Sequence, residues 1–446
     1  MTDIILLQLH THSDRILVPT VLLSMAQDPI ERGYNVVLID QRINKDWRDD
    51  MKKHIIKGAK IVYVACEEEE QLIPMLEATK LAIQLNPKTI TILGGNWAST
   101  HQGMGMQDTN IEIVSYDKNY SLLTDIMEYF ERKKRMTDIP GIFYRGIEGA
   151  SIKKTEKKDK PLNKPSKIPW YLVNLNSYQA IEWGPSLPRQ EGNDPDFSVT
   201  RAIGEFENLG KDRGIKKFFI TDNQLIEKHF EEFVDKLAKS STNYIFGVSG
   251  NWAEPILSFT KASMDNLVKS GCKMLEIEAY SGNNRLLDLI HQQTADTIRK
   301  ANQKLSSFPI KLKYKFQGGF PSETEEEFLT TLHLMKILQK ENKYATVSLS
   351  FYIPSPGNVL YPLAIEQGFK PPTSLKDWAE NNKWYKKDPC WLTKKRVKIV
   401  DNAAFISHFS DKHRTYPGNL PSYIASKMRY PLAKIRYNKA IAKVQQ

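Results

Sequence analysis

The feature that most constrains this chain is the alternation of short apolar runs with segments long enough to be helices. The runs Tyr34–Asp40 (YNVVLID), Ala59–Ala65 (AKIVYVA) and Thr89–Leu93 (TITIL) carry apolar residues side by side. A strand tolerates this only when both its faces are covered, as in a parallel sheet. Between the runs, Thr20–Glu31 reads as a helix stopped by Gly33, and Gln71–Gln84 as another. With Ile4–Leu9 ahead and Ile111–Val114 behind, residues 1–135 predict an open, doubly wound parallel sheet. Ligands of such sheets lie at the carboxyl ends of the strands, where His10–Asp14, Cys66–Glu70, Gly94–Thr100 and Ser115–Asp117 fall.

Residues 136–197 read as a linker, rich in proline, glycine and charge: KKTEKKDKPLNKP, then WGPSLPRQEGNDPD. A second strand–helix series occupies 198–370. Its predicted strands are Lys216–Ile220, Tyr244–Ser249, Lys273–Glu278, Ile310–Gln317 and Thr346–Ile353. Its predicted helices are Val199–Leu209, Ile226–Lys239, Phe259–Ser270, Asn284–Leu289, Ala295–Leu305, Thr324–Lys340 and Leu360–Gln367. Repeated units on one sheet imply a TIM-like barrel, complete or partial, with its chemistry at the carboxyl ends of the strands. Residues 371–446 read as a basic helical region. From residue 392 onward there are twelve Lys/Arg against Asp401 and Asp411, which is nearly the whole net charge of +11.

Composition removes several classes. No apolar run approaches the ~18 residues of a membrane span, and the start MTDIILLQLHTH reads as a first strand rather than a signal peptide. Three cysteines, Cys66, Cys272 and Cys390, are too few for a disulfide scaffold, so a cytoplasmic setting is expected.

Several segments resemble the cobalamin-binding radical S-adenosylmethionine (SAM) family. YKFQGGFPSETEEEFLTTL resembles the fifth strand and following helix of the radical SAM barrel, and FYIPSPGNVLYPLAIEQGFKPPTSLKDWA its sixth strand and loop. GIKKFFITDN resembles the second strand, LEIEAYSGNNRLLDLI the fourth, and GYNVVLID with NPKTITILGGNWAS the preceding cobalamin domain. The resemblance implies a B12-binding Rossmann-type domain followed by a partial (β/α)6 barrel. It also implies SAM, a 4Fe–4S cluster and cobalamin as cofactors. The expected activity is reductive SAM cleavage followed by radical methyl transfer, or a related rearrangement, on a small-molecule or lipid-like substrate, with an electron-donor protein as partner.

Two departures stand out. The family's first barrel strand ends in a CxxxCxxC loop whose thiolates hold the cluster, and Trp183–Thr200 has neither cysteine nor strand. The later strands are regular, and drift erodes single positions rather than one whole strand. The reading is therefore an enzyme whose cluster segment is missing from this sequence, with the join within Asn193–Ser198. The alternative is a cluster-free cobalamin- or substrate-binding or scaffold protein. The second departure is the absent DxHxxG segment, which leaves His10, His12 and His101 as either cobalt ligands or loop histidines.

The resemblance assigns Thr221, Asp222, Asn223, Glu278, Tyr280, Ser281, Gln317, Gly318, Gly319, Tyr352 and Pro354 to the SAM side. Each has a plainer role. Asp222 or Asn223 caps a helix, Gly282 turns the chain after Ser281, and Pro321 and Pro356–Gly357 fix turns. Gly94, Gly95, Ser99, Thr100 and Tyr116 fall on the cobalamin side, Gly94–Gly95 with Ser99 and Thr100 as a loop along which the nucleotide tail would run; a generic turn is the other reading. Glu67–Glu70 is a solvated helix start rather than a metal site. The tail aromatics Phe405, Phe409, Tyr416, Tyr423, Tyr430 and Tyr437, interleaved with basic residues, suit a helical cap on the barrel or peripheral contact with an anionic membrane; no nucleic-acid motif is present.

Overall fold

The computed structural model describes residues 2–11, 16–117, 119–146, 151–157, 168–179, 198–240, 243–380 and 389–410. Two compact units emerge: Met1–Glu182 with Pro371–Trp384, and Trp183–Lys370 with Tyr385–Gln446.

In the first unit the apolar runs become β1 (Ile4–Gln8), β2 (Val36–Asp40), β3 (Ile61–Ala65), β4 (Ile90–Gly94) and β5 (Ile113–Ser115), all parallel. Two short strands, β6 (Ile142–Arg145) and β7 (Ile152–Lys154), extend the sheet antiparallel, giving the order β2-β1-β3-β4-β5-β6-β7. The segment expected to be linker from residue 136 thus supplies two strands. Both are too short to read as strands in sequence, and β7 is exposed along its length.

Helices α1 (Thr20–Glu31), α2 (Trp47–Ile56), α3 (Leu72–Leu85), α4 (Asn96–His101), α5 (Leu122–Phe130) and α6 (Leu175–Gln179) complete the unit. Alternate strand residues feed two separate cores. Ile5, Leu7, Val62, Val64 and Leu93 pack with Met51 and Ile55 of α2 and Met75, Ala78 and Ala82 of α3. Ile4, Leu6, Ile61, Tyr63 and Ile92 pack with Leu22 and Met25 of α1 and Leu123, Ile126 and Met127 of α5. Each such aliphatic side chain, once buried, contributes about 1.5–3 kcal/mol, which explains the continuous apolar strands. A helix from far along the chain, Leu375–Glu380, joins the first core through Leu375 and Trp378, and the Leu375 N–H donates to Gln107 Oε1 at 2.7 Å. Part of the region expected to be a C-terminal helical tail therefore belongs to this unit. Tyr178 of α6 donates to Asp40 Oδ2 at 2.8 Å, and Asp40 also takes Arg42.

The second unit is one parallel sheet in sequential order: β8 (Lys217–Ile220), β9 (Ile245–Ser249), β10 (Cys272–Tyr280), β11 (Lys311–Gly318) and β12 (Ala345–Phe351). Among the described residues it is open, with five strands. The first strand of the expected partial (β/α)6 barrel belongs to the segment expected to be missing from this sequence, and the join expected within Asn193–Ser198 lies, apart from Ser198, outside the described residues. Helices α7 (Val199–Arg213), α8 (Asn223–Lys228), α9 (Phe230–Leu237), α10 (Ala253–Ser258), α11 (Lys261–Lys269), α12 (Asn284–Leu289), α13 (Ala295–Lys304), α14 (Glu325–Glu341) and α15 (Tyr361–Glu366) intervene or follow. After α16, the Leu375–Glu380 helix, comes α17 (Lys394–Ser410), whose Ser407 hydroxyl accepts the Leu349 N–H of edge strand β12 at 2.9 Å. The single helix expected over Ile226–Lys239 is two, because His229 leaves helical geometry at φ −132°. Thr324 and Glu327 form a reciprocal capping box at the start of α14.

Candidate functional site

Toward the carboxyl ends of β10–β12 one face of the second sheet is polar, which a parallel sheet does not need for packing. In β11, Leu312, Tyr314, Phe316 and Gly318 are buried, while Lys311, Lys313, Lys315 and Gln317 alternate with them and are part-exposed. Tyr314 donates to Asn302 of α13, so the buried set faces the helices. Strand register assembles the other set into rungs across the sheet. Ser249, Glu276, Lys313 and Thr346 form one, Glu278, Lys315 and Ser348 the next, and Gln317 with Ser350 a third.

The rungs are tied by charge. Lys315 Nζ lies 2.8 Å from Glu276 Oε1 and 2.9 Å from Glu278 Oε1. Ser249 donates to Glu276 at 3.3 Å. Glu276 is buried, whereas Lys315 and Glu278 remain open on one side. Burial alone would lower the Lys315 ammonium, but Glu278 and Glu276 override it and hold the proton above the usual lysine range. Sequence reasoning named Glu278 and passed over Glu276 and Lys315. The strict alternation in KLKYKFQ was the signal that could have found them.

Around the carboxyl ends of the strands the expected SAM-side residues are divided. Thr221 follows β8, and Asp222 is buried as the cap of α8, accepting the Leu225 N–H at 3.0 Å, with Asn223 opening the helix. Tyr280 ends β10 at φ 53° and packs beside Leu286, Phe320, Tyr352 and Leu360. Ser281 is fully buried; its hydroxyl lies 3.1 Å from that of Thr331 and accepts the Asn283 N–H. A Cβ at Gly282 would stand 2.6 Å from the Thr330 carbonyl of α14. This corner is a helix-packing turn. Gly318 faces Phe328, and its carbonyl accepts the Tyr352 N–H at 2.9 Å. Gly319, at φ 78°, donates its N–H to Glu323 and accepts the indole of Trp391 at 2.9 Å. Tyr352 is buried against Phe320, and Pro354 is buried beyond it.

In the first unit, Gly94 and Gly95 sit at the turn from β4 into α4. A Cβ at Gly94 would stand 1.9 Å from the Tyr63 hydroxyl, and one at Gly95 2.4 Å from the Cys66 carbonyl. Ser99 and Thr100 bond back to the carbonyls of Gly95 and Asn96. Tyr116 donates to the Thr155 carbonyl at 2.5 Å, fastening the chain beyond β7 to β5. The turn that the sequence offered to a nucleotide tail is thus occupied by the chain's own groups. His101 Nδ1 bonds the Trp97 carbonyl, and its ring stacks on Trp97 and meets Trp378 edge-on; burial lowers its pKa. It is a core histidine rather than an exposed ligand. His10 is exposed at the end of β1, and His12 and Asp14 lie outside the described residues. Glu67–Glu70 serves as a helix start, with Glu68 and Gln71 forming a capping box.

The cysteines do not fit a 4Fe–4S cluster. Cys66 is buried in the first unit, Cys272 is buried at the amino end of β10, and Cys390 is exposed beside Gln367. Burial raises the Cys66 thiol and lifts that of Cys272 to about 12, opposite to what a thiolate ligand needs. Among the described residues no group of three His, Cys, Asp or Glu is placed to hold a metal ion.

No protein-family model and no curated protein sequence matches the chain. Solved structures do. TsrM, a radical SAM methyltransferase from Kitasatospora setae with cobalamin and a [4Fe-4S] cluster bound, superposes with TM-score 0.66 at 14% identity, over 82% of this chain and 78% of that one. The same enzyme with tryptophan substrate and a SAM analogue (aza-SAM) gives 0.65 at 15% identity, over 82% and 76%. OxsB, a cobalamin-dependent SAM radical enzyme with aqua-cobalamin and SAM bound, gives 0.62 at 14% identity, over 90% of this chain and 58% of that one. The chain shares the two-part fold of the cobalamin-dependent radical SAM enzymes.

Proposed function

We propose that, on this shared fold, the protein binds SAM across the polar face of its second sheet and a corrinoid on its first. The reaction class is methyl transfer to a small-molecule or lipid-like substrate. The observation that carries the reading is the ladder Glu276–Lys315–Glu278, charged groups on the sheet face opposite α13, with Lys315 and Glu278 part-exposed among the described residues. Lys315 suits a carboxylate and Glu278 an ammonium, the two ends of a methionyl group. A corrinoid, when bound, supplies a carrier for the methyl group. The protein's share is position and exclusion of water.

Cluster thiolates would have to come from polypeptide beyond the three cysteines of this sequence. The placement of those cysteines favours a second reading, a cluster-free protein that keeps the binding surfaces without reductive SAM cleavage. Calorimetric titration with SAM tests the first reading: binding weakened in Lys315→Met supports it, and absence of binding overturns it. Anaerobic reconstitution with iron and sulfide, with the intact mass, separates the two: about four irons per chain supports the enzyme, and none supports the cluster-free protein.

No described helix is long and apolar enough to cross a membrane. Residues 411–446 of the basic tail, with Tyr416, Tyr423, Tyr430 and Tyr437, lie outside the described residues. We assign the tail contact with an anionic lipid surface, and the protein a cytoplasmic setting with an electron-donor partner, as parts of the same reading.

A further inference from the structure

We propose that Tyr63 has taken the space beside Gly94, so that the first unit holds a corrinoid by its ring and leaves the nucleotide tail outside the protein. The inference rests on the corrinoid reading above and sharpens it.

Tyr63 and Gly94 belong to neighbouring strands and to the same face of the sheet, the face shared with α1 and α5. Gly94 has no side chain, so it opens a slot at the carboxyl end of β4. The phenol fills that slot. Three atoms of the Tyr63 ring and hydroxyl lie 1.9, 2.4 and 2.8 Å from where a Cβ would stand. A real Cβ contact starts near 3.5 Å, so the space left is less than one methyl group. Tyr63 is 5% exposed. Swinging it out would open a cavity against Ile61 and Ile92.

The other wall is also closed. The Cys66 carbonyl crowds Gly95 and accepts the Trp97 N–H at 3.0 Å. Ser99 returns its hydroxyl to the Gly95 carbonyl at 3.2 Å. At the Gly94–Gly95 turn these groups leave no slot of the size of a benzimidazole nucleotide.

The test uses the full chain and two corrinoids, hydroxocobalamin, which carries the tail, and diaquacobinamide, which lacks it. Binding is followed by absorbance. Wild type is expected to bind the two within about threefold, and Tyr63→Ala to favour hydroxocobalamin by about tenfold or more. Tyr63→Phe, which keeps the ring, is expected to behave as wild type and controls for loss of folding in the alanine variant. A wild-type preference for hydroxocobalamin above about thirtyfold overturns the inference and leaves the corrinoid reading standing. Equal preference in Tyr63→Phe and a folded Tyr63→Ala overturns it too. Failure of wild type to bind either compound overturns the corrinoid reading, and the inference with it.

Discussion

Glu323 accepts the backbone N–H of Gly319 at 2.7 Å, so the loop closing β11 is tied by a carboxylate that solvent does not reach. Burial raises its pKa to about 7, against the partial relief given by the Gly319 N–H and Arg396, and its Oε1 has no hydrogen-bond partner among the described residues. The folded chain thus keeps this proton where the unfolded chain has lost it. Glu323 favours folding below the ordinary carboxylate range, and that contribution is lost as pH rises through about 7. The full swing is roughly 3 kcal/mol. Glu323→Gln is expected to flatten the fall in Tm between pH 5 and pH 8. An unchanged pH profile would refute this.

Lys315 holds two carboxylates, one buried. Lys315→Met leaves Glu276 without its cation and is expected to lower stability by about 1–2 kcal/mol, a modest value because Lys315 is 42% exposed. Adding Glu276→Gln should return part of that loss. A double-mutant cycle by urea denaturation measures the coupling, and additive effects would remove the ladder from the account.

Much of the fold is legible in sequence because buried parallel strands leave a plain record. The runs around Val36–Asp40 and Ile61–Ala65 have no other good place to go. Strand β7 escaped because an exposed edge strand of three residues has no apolar signature, and β6 because its four residues, two of them buried, sit in a stretch dense in glycine, proline and charge. The break at His229 escaped because Phe230, Phe233, Val234 and Leu237 continue the apolar period of the helix before it. At the site, Glu278 was found through its neighbourhood, while Glu276 and Lys315 required reading KLKYKFQ as two faces. Ser281 resembled a ligand contact, and its burial against Thr331 is a tertiary fact that no local pattern announces.

Glycine positions supply a contrast within one unit. Gly282 faces the backbone of α14 at 2.6 Å, whereas nothing lies within 4 Å of a Cβ on Gly204 in α7. Gly282→Ala is expected to destabilise by about 1–3 kcal/mol through overpacking. Gly204→Ala is expected to stabilise by about 0.5–1 kcal/mol through helix propensity. Melting curves of the two variants should move in opposite directions.

The thiols should divide by burial. Cys390 is exposed, while Cys66 and Cys272 are buried, each with a raised pKa. Ellman's reagent at pH 8 is expected to label one thiol rapidly in the native protein and all three after denaturation. Rapid labelling of a second thiol in the native state would contradict the buried placements.

Strand β7 ends the first sheet with Ile152, Lys153 and Lys154, all exposed. An unpaired strand edge is a template on which another chain can build, and two adjacent ammonium groups make that edge repel its own copy. The short, charged hem that the sequence disguised as linker therefore protects the sheet from growing into an aggregate. Neutralising both lysines should show itself first as turbidity at high protein concentration, before any change in ligand binding.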